Sequence, residues 1–494
     1  MTIQTQFSTD PNAIVTVNVS IIEAPTPNTY QRTGALVCFG ATTITAAQGN
    51  TSYLTQYADL TPLLQPPMQA STSTWAGGTE TVVFTAPIPG PPTVGDVIPL
   101  IFSGYNPVSL NGLHQCTVTA PNTVTFAVTT SPGTISVQGT AITQGSVELQ
   151  QMATTFFGQG NIIGVWVLDL GYQSQSSNEV TALQTWLTNN PLTIYGFLLP
   201  RHFGSNSTIL GTSAIPTAFT NLLKVYENPE AMEYFWLTVT SSTMTNLGPT
   251  FKDVIQLVEA PVLTDPTQIN LTDPTGEFTL AALFYNALAY RASNTNRIAP
   301  MAFKYVYGVT QYPQKGNGPL LVSFKTANTN YISTGAEGGI AFTMVYEGVT
   351  LDGHDYFNWW YTIDWVQIEI NLNLSNAIIN GSNNPLAPLY YNQDGINYLE
   401  TVLYSTMQDA QTFGMVLGKI EMTQLDGPDL TNAINGGTFA GKCDVNAVPF
   451  LNYTLSNPGD YKIGEYDGLS TLFIPARGFI HILVNVVATD LVSI

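Results

Sequence analysis

This chain of 494 residues is short of charge. Asp, Glu, Lys and Arg make up 9% of it, against about 25% in an average soluble protein. Thr, Ser, Asn, Gln and Tyr must therefore cover much of its surface, and burying such neutral groups costs far less than burying ions. That surface suits a protein packed against other proteins. Cations are scarcest: 13 Lys+Arg stand against 33 Asp+Glu, for a formal net charge of -20. No Lys/Arg cluster occurs, which excludes binding to nucleic-acid phosphates and to an anionic membrane surface. No apolar run reaches the ~18 residues that a membrane-spanning helix needs. The opening MTIQTQFSTDPN lacks the basic and apolar regions of a secretion signal. The cysteines Cys38, Cys116 and Cys443 lie too far apart for a metal knuckle or a disulfide framework. The first two read as small buried hydrophobes on strands, in a chain kept in a reducing cytoplasm.

Catalytic signatures are missing as well. There is no GxxxxGK[ST], GxSxG, HExxH or CxxC, and no internal repeat. The run Gly158-Gln-Gly160-Asn-Ile-Ile-Gly164 precedes its strand, whereas a dinucleotide fingerprint follows one. Asp169 ends a buried strand, a position where α/β enzymes place carboxylates. His114 and His481 fall within β segments and read as structural. Arg201-His202 follows a strand end, where turn residues are the expectation. The densest polar cluster is Asp352-Gly-His354-Asp355, with Asp364 and Glu369 close behind. It has the composition of a metal or acid/base site. It also has the turn chemistry of a loop before a helix, with Asp355 as cap, and this reading is preferred. The expectation is a chain with no enzyme activity, no cofactor and no metal. The alternatives are a glycan hydrolase using Asp352, Asp355 or Glu369, and a receptor-binding protein.

What the chain does have is core material, with 44% hydrophobic residues and 11% aromatics. Its length suggests about three domains. The fold class expected is a multidomain α+β protein. An N-terminal strand arm with its connector occupies 1–33, and 34–78 starts the core body. Short β segments separated by Gly/Pro/Asn turns make 79–147 a small all-β insert. Alternating strands and helices make 148–334 a middle α/β layer, 335–477 a C-terminal α/β body, and 478–494 a second strand arm. In the first arm Val15, Val17, Val19 and Ile21 alternate with polar residues. In the second, Ile480, Ile482, Val484 and Val486 share one face of a period-two run. Pro25, Pro27, Pro475 and Gly478 read as hinges at the arm connectors. The segment 361–378 fits strand or helix by period, and its length favours helix. The segment INYLETVLYSTMQDAQTFG is helical, with Asp394 as candidate N-cap.

Two terminal strands without local partners are a liability unless another sheet edge receives them. Strand addition into neighbouring copies satisfies both, and such head-to-tail contacts generate rings or helical lattices. The last third, from AFTMVYEG through Tyr361-Thr-Ile-Asp364, NNPLAPLYYNQDGI and INYLETVLYSTMQDAQTFG to the terminal strand, resembles the bacteriophage contractile-tail sheath proteins. The segment NPVSLNGLHQCTVTAPNTVTFAVTTSPGT resembles β inserts of phage tail proteins. The resemblance implies a homo-oligomer of stacked hexameric rings that contracts without nucleotide to drive a tail tube through the host envelope for genome ejection. It implies a C-terminal body that touches the tube protein. Its further implied partners are baseplate and tail terminator proteins, and its implied location is the virion, after assembly in the host cytoplasm.

Overall fold

The computed structural model describes residues 30–90, 92–173, 176–204, 217–228, 231–261, 276–293, 302–313, 318–334, 342–353, 356–416 and 444–476. Both arms lie outside these residues, Val15, Val17, Val19, Ile21, Ile480, Ile482, Val484 and Val486 included. So do Pro25, Pro27, Gly478, His354, Asp355, Cys443 and His481.

The chain enters the described fold through β1 (Gly34–Cys38) and β2 (Thr51–Leu54). It then builds β3 (Met68–Ala76), β4 (Thr79–Phe84), β5 (Val97–Ser103), β6 (Gly112–Ala120), β7 (Thr123–Ala127) and β8 (Thr140–Thr143). These six close a barrel in the order β3-β4-β7-β6-β5-β8, around Phe84, Leu100, Phe102, Val124 and Phe126. The barrel takes in β3, upstream of the Thr79 boundary read from sequence. MQASTSTWA is mostly Ser, Thr and Gln and only Met68 and Ala70 are buried, so its period-two signal is weak. The pairing of Met68 with Ala141 brings the barrel's entry and exit together.

Next comes α1 (Gln144–Gly158), for which the sequence reading proposed no element. Buried Gln144, Glu148, Gln150 and Gln151 erase its amphipathic contrast. Thr143 starts it, Oγ1 accepting from the Ser146 amide at 3.2 Å. There follow β9 (Val165–Asp169), α2 (Ser176–Asn189), β10 (Gly196–Leu198), α3 (Thr217–Tyr226), β11 (Tyr234–Val239), β12 (Val254–Val258) and α4 (Thr279–Ala289). The sheet order is β12-β11-β10-β1-β9-β2, parallel except for the antiparallel edge β2. Counted in chain order, its five parallel strands stand 2-1-3-4-5, a doubly wound arrangement. Thus β1, from the segment 34–78 read as the start of the core body, sits at the centre of the α/β layer. Strands such as YFWLTV are buried throughout because helices cover both faces. Leu36, Val167, Trp236 and Leu257 face α1 and α4, while Val37, Phe197, Phe235 and Val258 face α2 and α3.

The last part holds α5 (Gly318–Thr326), the hairpin β13 (Tyr331–Thr334) with β14 (Thr343–Tyr346), α6 (Phe357–Ser382) and α7 (Gln393–Thr412). The segment of ambiguous period is therefore helix, and it extends further at both ends than 361–378. The N-cap of α7 is Asn392, whose Oδ1 accepts from the Gly395 amide at 2.9 Å. Asp394, read as the cap, lies in the first turn, where its charge favours the helix dipole. The α6 N-cap position is held by Tyr356. Phe357, Tyr361, Trp365, Val366, Leu403 and Met407 join the core over α1 and α4, so the C-terminal body and middle layer share one hydrophobic cluster. Finally β15 (Asp444–Ala447), α8 (Phe450–Ser456), α9 (Pro458–Ile463) and β16 (Leu469–Leu472) pack around the start of α7.

Candidate functional site

The carboxylates at strand ends are consumed by structure. Asp169 Oδ1 accepts from the Gly40 amide at 2.7 Å, and Oδ2 accepts from the Thr42 amide and hydroxyl, both at 2.7 Å. It ties the loop after β1 to the end of β9. Arg201 and His202 lie in a single 3-10 turn after β10, the turn position read from the sequence. Arg201 is buried, with Nε and Nη2 donating to Glu259 at 2.7 and 3.3 Å, Nη1 to Gln151 at 2.7 Å, and its guanidinium 4.2 Å from the Phe278 ring centroid. His202 Nε2 lies 2.5 Å from Glu179 Oε2. Burial opposes the imidazolium, yet Glu179 raises its pKa overall. Sequence could not find these pairs, because each partner lies tens of residues away. His114 is half-buried on β6, its Nε2 3.2 Å from the Leu110 carbonyl.

Of the polar cluster read from the sequence, His354 and Asp355 lie outside the described residues, and the described members Asp352, Asp364 and Glu369 do not assemble as one site. Asp352 accepts from the Thr350 hydroxyl at 2.6 Å within its own turn. Glu369 is part-exposed on α6, and burial with Asp409 nearby raises its pKa. Asp364 is fully buried and faces the sheet. Its Oδ2 accepts the hydroxyls of Tyr195 and Tyr234 at 2.8 and 2.9 Å, and its Oδ1 has no partner. Burial pushes this carboxyl up to about 7, against the pull of Lys252 and the two hydroxyls. Lys252 donates to the Ala231 carbonyl at 2.8 Å and stands 5.2 Å from the Trp360 ring centroid. Burial lowers its pKa, while Asp364, Asp253, Glu233 and Asp352 act the other way. Asp253 is sealed in with neither oxygen bonded, and burial pushes it to about 8. This is a polar anchor under α6 at the amino-terminal edge of the sheet, closed to substrate. Among the described residues no group of three or more His, Cys, Asp or Glu could hold a metal.

Among the described residues the α6–α7 hairpin presents an open surface. Trp365 meets Phe413 and Asn373 bonds Thr406 at 3.0 Å, so the helices run antiparallel and their connection projects from the body. About half of the exposed large hydrophobic side chains among the described residues lie between Ile378 and Leu472. They include Ile379, Leu386 at 94% exposure, Tyr390, Tyr398, Leu451 and Leu455. Asn392, Tyr391 and the ring cluster of Phe450, Tyr453, Tyr461 and Tyr466 hold this end in shape. From Phe357 to Val416 there is no Lys or Arg, while Glu369, Asp394, Glu400 and Asp409 are present. Sequence gave the helices but not this tip. Pro475, read as a hinge, is buried and pairs with Val416, and the Ala476 amide donates to the Met415 carbonyl at 2.7 Å. Flexing at Pro475 itself would break that bridge.

No family model matches the chain, and no curated protein matches it. Among solved structures the chain is similar to components of phage-type contractile tails. One is a chain in the cryo-EM structure of the anti-feeding prophage baseplate, 6-fold symmetrised, at 10% identity and TM-score 0.49, covering 93% of this chain and 94% of that one. Another is a sheath tail protein from Listeria innocua, at 12% identity and TM-score 0.39, covering 78% of this chain and 86% of that one. A third belongs to the anti-feeding prophage helical sheath in its contracted state, at 10% identity and TM-score 0.44, covering 81% and 90%.

Proposed function

We propose that the chain is the structural subunit of a contractile-tail sheath, polymerising as stacked hexameric rings around a tail tube and tightening to drive the tube forward. The observation that carries this reading is the α6–α7 tip. It is an apolar and cation-free projection that no other described residues of the chain cover. Exposed apolar area of this kind marks a protein contact, and an acidic one selects a partner with basic character. In this reading the tip and its α8–α9 flank face the tube protein or a neighbouring subunit. The segments bearing Val15, Val17, Val19 and Ile21, and Ile480, Ile482, Val484 and Val486, add strands to neighbouring copies. Pro25, Pro27 and Gly478 let the subunit turn on them. Baseplate and terminator proteins bound the stack, which assembles in the host cytoplasm and remains in the virion. No catalytic step belongs to this function, in keeping with the structural employment of Asp169, Arg201, His202 and Asp364. Deletion of residues 1–22 tests it. The shortened protein should stay soluble and give no striated tubes by negative-stain microscopy, whereas tubes of normal length would refute the arm mechanism.

A further inference from the structure

The carboxyl end of β9 bears a groove that the proposed function leaves unused. In doubly wound sheets ligands settle outside the carboxyl ends of the parallel strands. Beyond β9 the chain runs on through Leu170 and Gln173, and beside it Gly49 and Asn50 lead into the antiparallel edge strand β2. Helix α2 forms the third wall. Its residues Asn178, Thr181, Thr185 and Asn189 recur at three- and four-residue spacing, so they share one face, and all four are exposed. Val180, Leu183 and Leu187, on the opposite face, enter the core. The groove holds about 560 Å³, within the range of small-ligand sites.

No ionisable side chain lines this groove, and most of its lining residues are amides or threonines. Leu170 and Trp186 are buried beneath them, and Trp186 Nε1 donates to the Gly49 carbonyl at 3.3 Å, tying the turn before β2 to α2. Gln173 Nε2 donates to the Leu170 carbonyl at 3.1 Å, and Asn190 Nδ2 to the Trp186 carbonyl at 2.8 Å. A backbone carbonyl only accepts, so both amides are oriented, with Gln173 Oε1 and Asn190 Oδ1 left to accept. The Thr185 hydroxyl gives its proton to the Thr181 carbonyl at 2.7 Å and can likewise accept. Asn50 holds a left-handed backbone, φ 60°, and its carbonyl accepts from the Asp169 amide at 2.9 Å, so its side chain stands on a fixed turn. Asn50 and Asn189 add amides that both donate and accept. Such an array matches sugar hydroxyls, each of which also donates and accepts. A charged ligand would give up hydration here and meet no counter-ion. With no carboxylate in the lining, the groove lacks the pair that cleaves a glycosidic bond.

We propose that this groove binds an uncharged oligosaccharide without cleaving it. Maltotriose, cellotriose and chitotriose, three uncharged trisaccharides, test this on the full chain by ligand-observed saturation-transfer NMR titration. Trigalacturonate serves as the acidic counterpart, in about 0.5 M salt to screen the net charge of the chain. At least one of the three should half-saturate near or below ~1 mM and be recovered intact. Trigalacturonate should bind about tenfold more weakly, having no counter-ion in the groove. Asn50→Gly keeps the left-handed turn while removing one amide, and Asn189→Ala removes another from an exposed helix position. Each should weaken the bound trisaccharide about tenfold, the effect of one lost hydrogen bond. Thr185→Trp fills the groove from an exposed position and should abolish binding. The proposal is overturned if none of the three trisaccharides binds, if trigalacturonate binds as well as they do, or if Thr185→Trp leaves binding intact. It is equally overturned if Asn50→Gly and Asn189→Ala both leave the affinity unchanged. Loss of tubes in Thr185→Trp, with no trisaccharide bound by the native chain, would mark this face as a subunit contact instead.

Discussion

The Tyr195 hydroxyl, just ahead of β10, donates to the Asp364 carboxylate of α6 across 2.8 Å of fully buried space. This bond and its twin from Tyr234 pin the long helix to the sheet, although 169 residues separate Tyr195 from Asp364. They fix the base from which the α6–α7 tip projects.

The anchor should make stability fall as pH rises. In the fold burial pushes the Asp364 carboxyl up to about 7 and that of Asp253 up to about 8, from an ordinary 3.8 for each. The folded state therefore holds more protons than the unfolded state between pH ~4 and ~8, so each carboxyl's contribution is intact at the acid end and is lost through that window. For Asp364 the full span is on the order of 4 kcal/mol. Asp364→Asn keeps an acceptor for both tyrosines and cannot ionise. Urea denaturation at pH 5 and pH 8.5 should show a smaller loss for Asp364→Asn than for the native chain. Equal slopes would remove the anchor's role.

Arg201 and Glu259 form a buried two-point ion pair. Glu259→Ala strands the guanidinium beside Phe278 and should cost about 3–5 kcal/mol, read from the urea midpoint. The double change Arg201→Met with Glu259→Leu should recover most of that loss, since an apolar pair of similar volume removes the stranded charge. A double variant as unstable as Glu259→Ala would show that packing and not the ion sets the cost.

The barrel has its own core and adjacent entry and exit strands. Replacing residues 68–141 by a short Gly/Ser linker should leave the doubly wound sheet folded, with the amide exchange protection of β1, β9 and β10 retained. Loss of protection throughout β1 would mean that the two units fold as one.

At the tip, Leu386→Asp and Tyr390→Asp alter exposed side chains and should shift stability by no more than about 0.5 kcal/mol. Under the proposed function they should nonetheless reduce tube formation severalfold in light-scattering assays. Normal polymerisation would place the contact elsewhere.

Sequence by itself determined the local elements whose signal is carried by neighbours along the chain. The apolar runs VWVLD and YFWLTV are strands, the period of Ile396, Leu403, Met407 and Ala410 makes α7, and the spaced β segments make an all-β unit. It also set the scarcity of cations. Tertiary structure decided everything that rests on distant partners. It placed β1 at the centre of the sheet, recruited the polar strand β3 into the barrel, made α1 a helix despite its buried glutamines, and turned Arg201, His202, Asp169 and Asp364 from candidate chemistry into anchors. The physical reason is that hydrophobic period is a property of a dozen consecutive residues, whereas the environment of a buried polar group is set by whichever remote atoms must neutralise it.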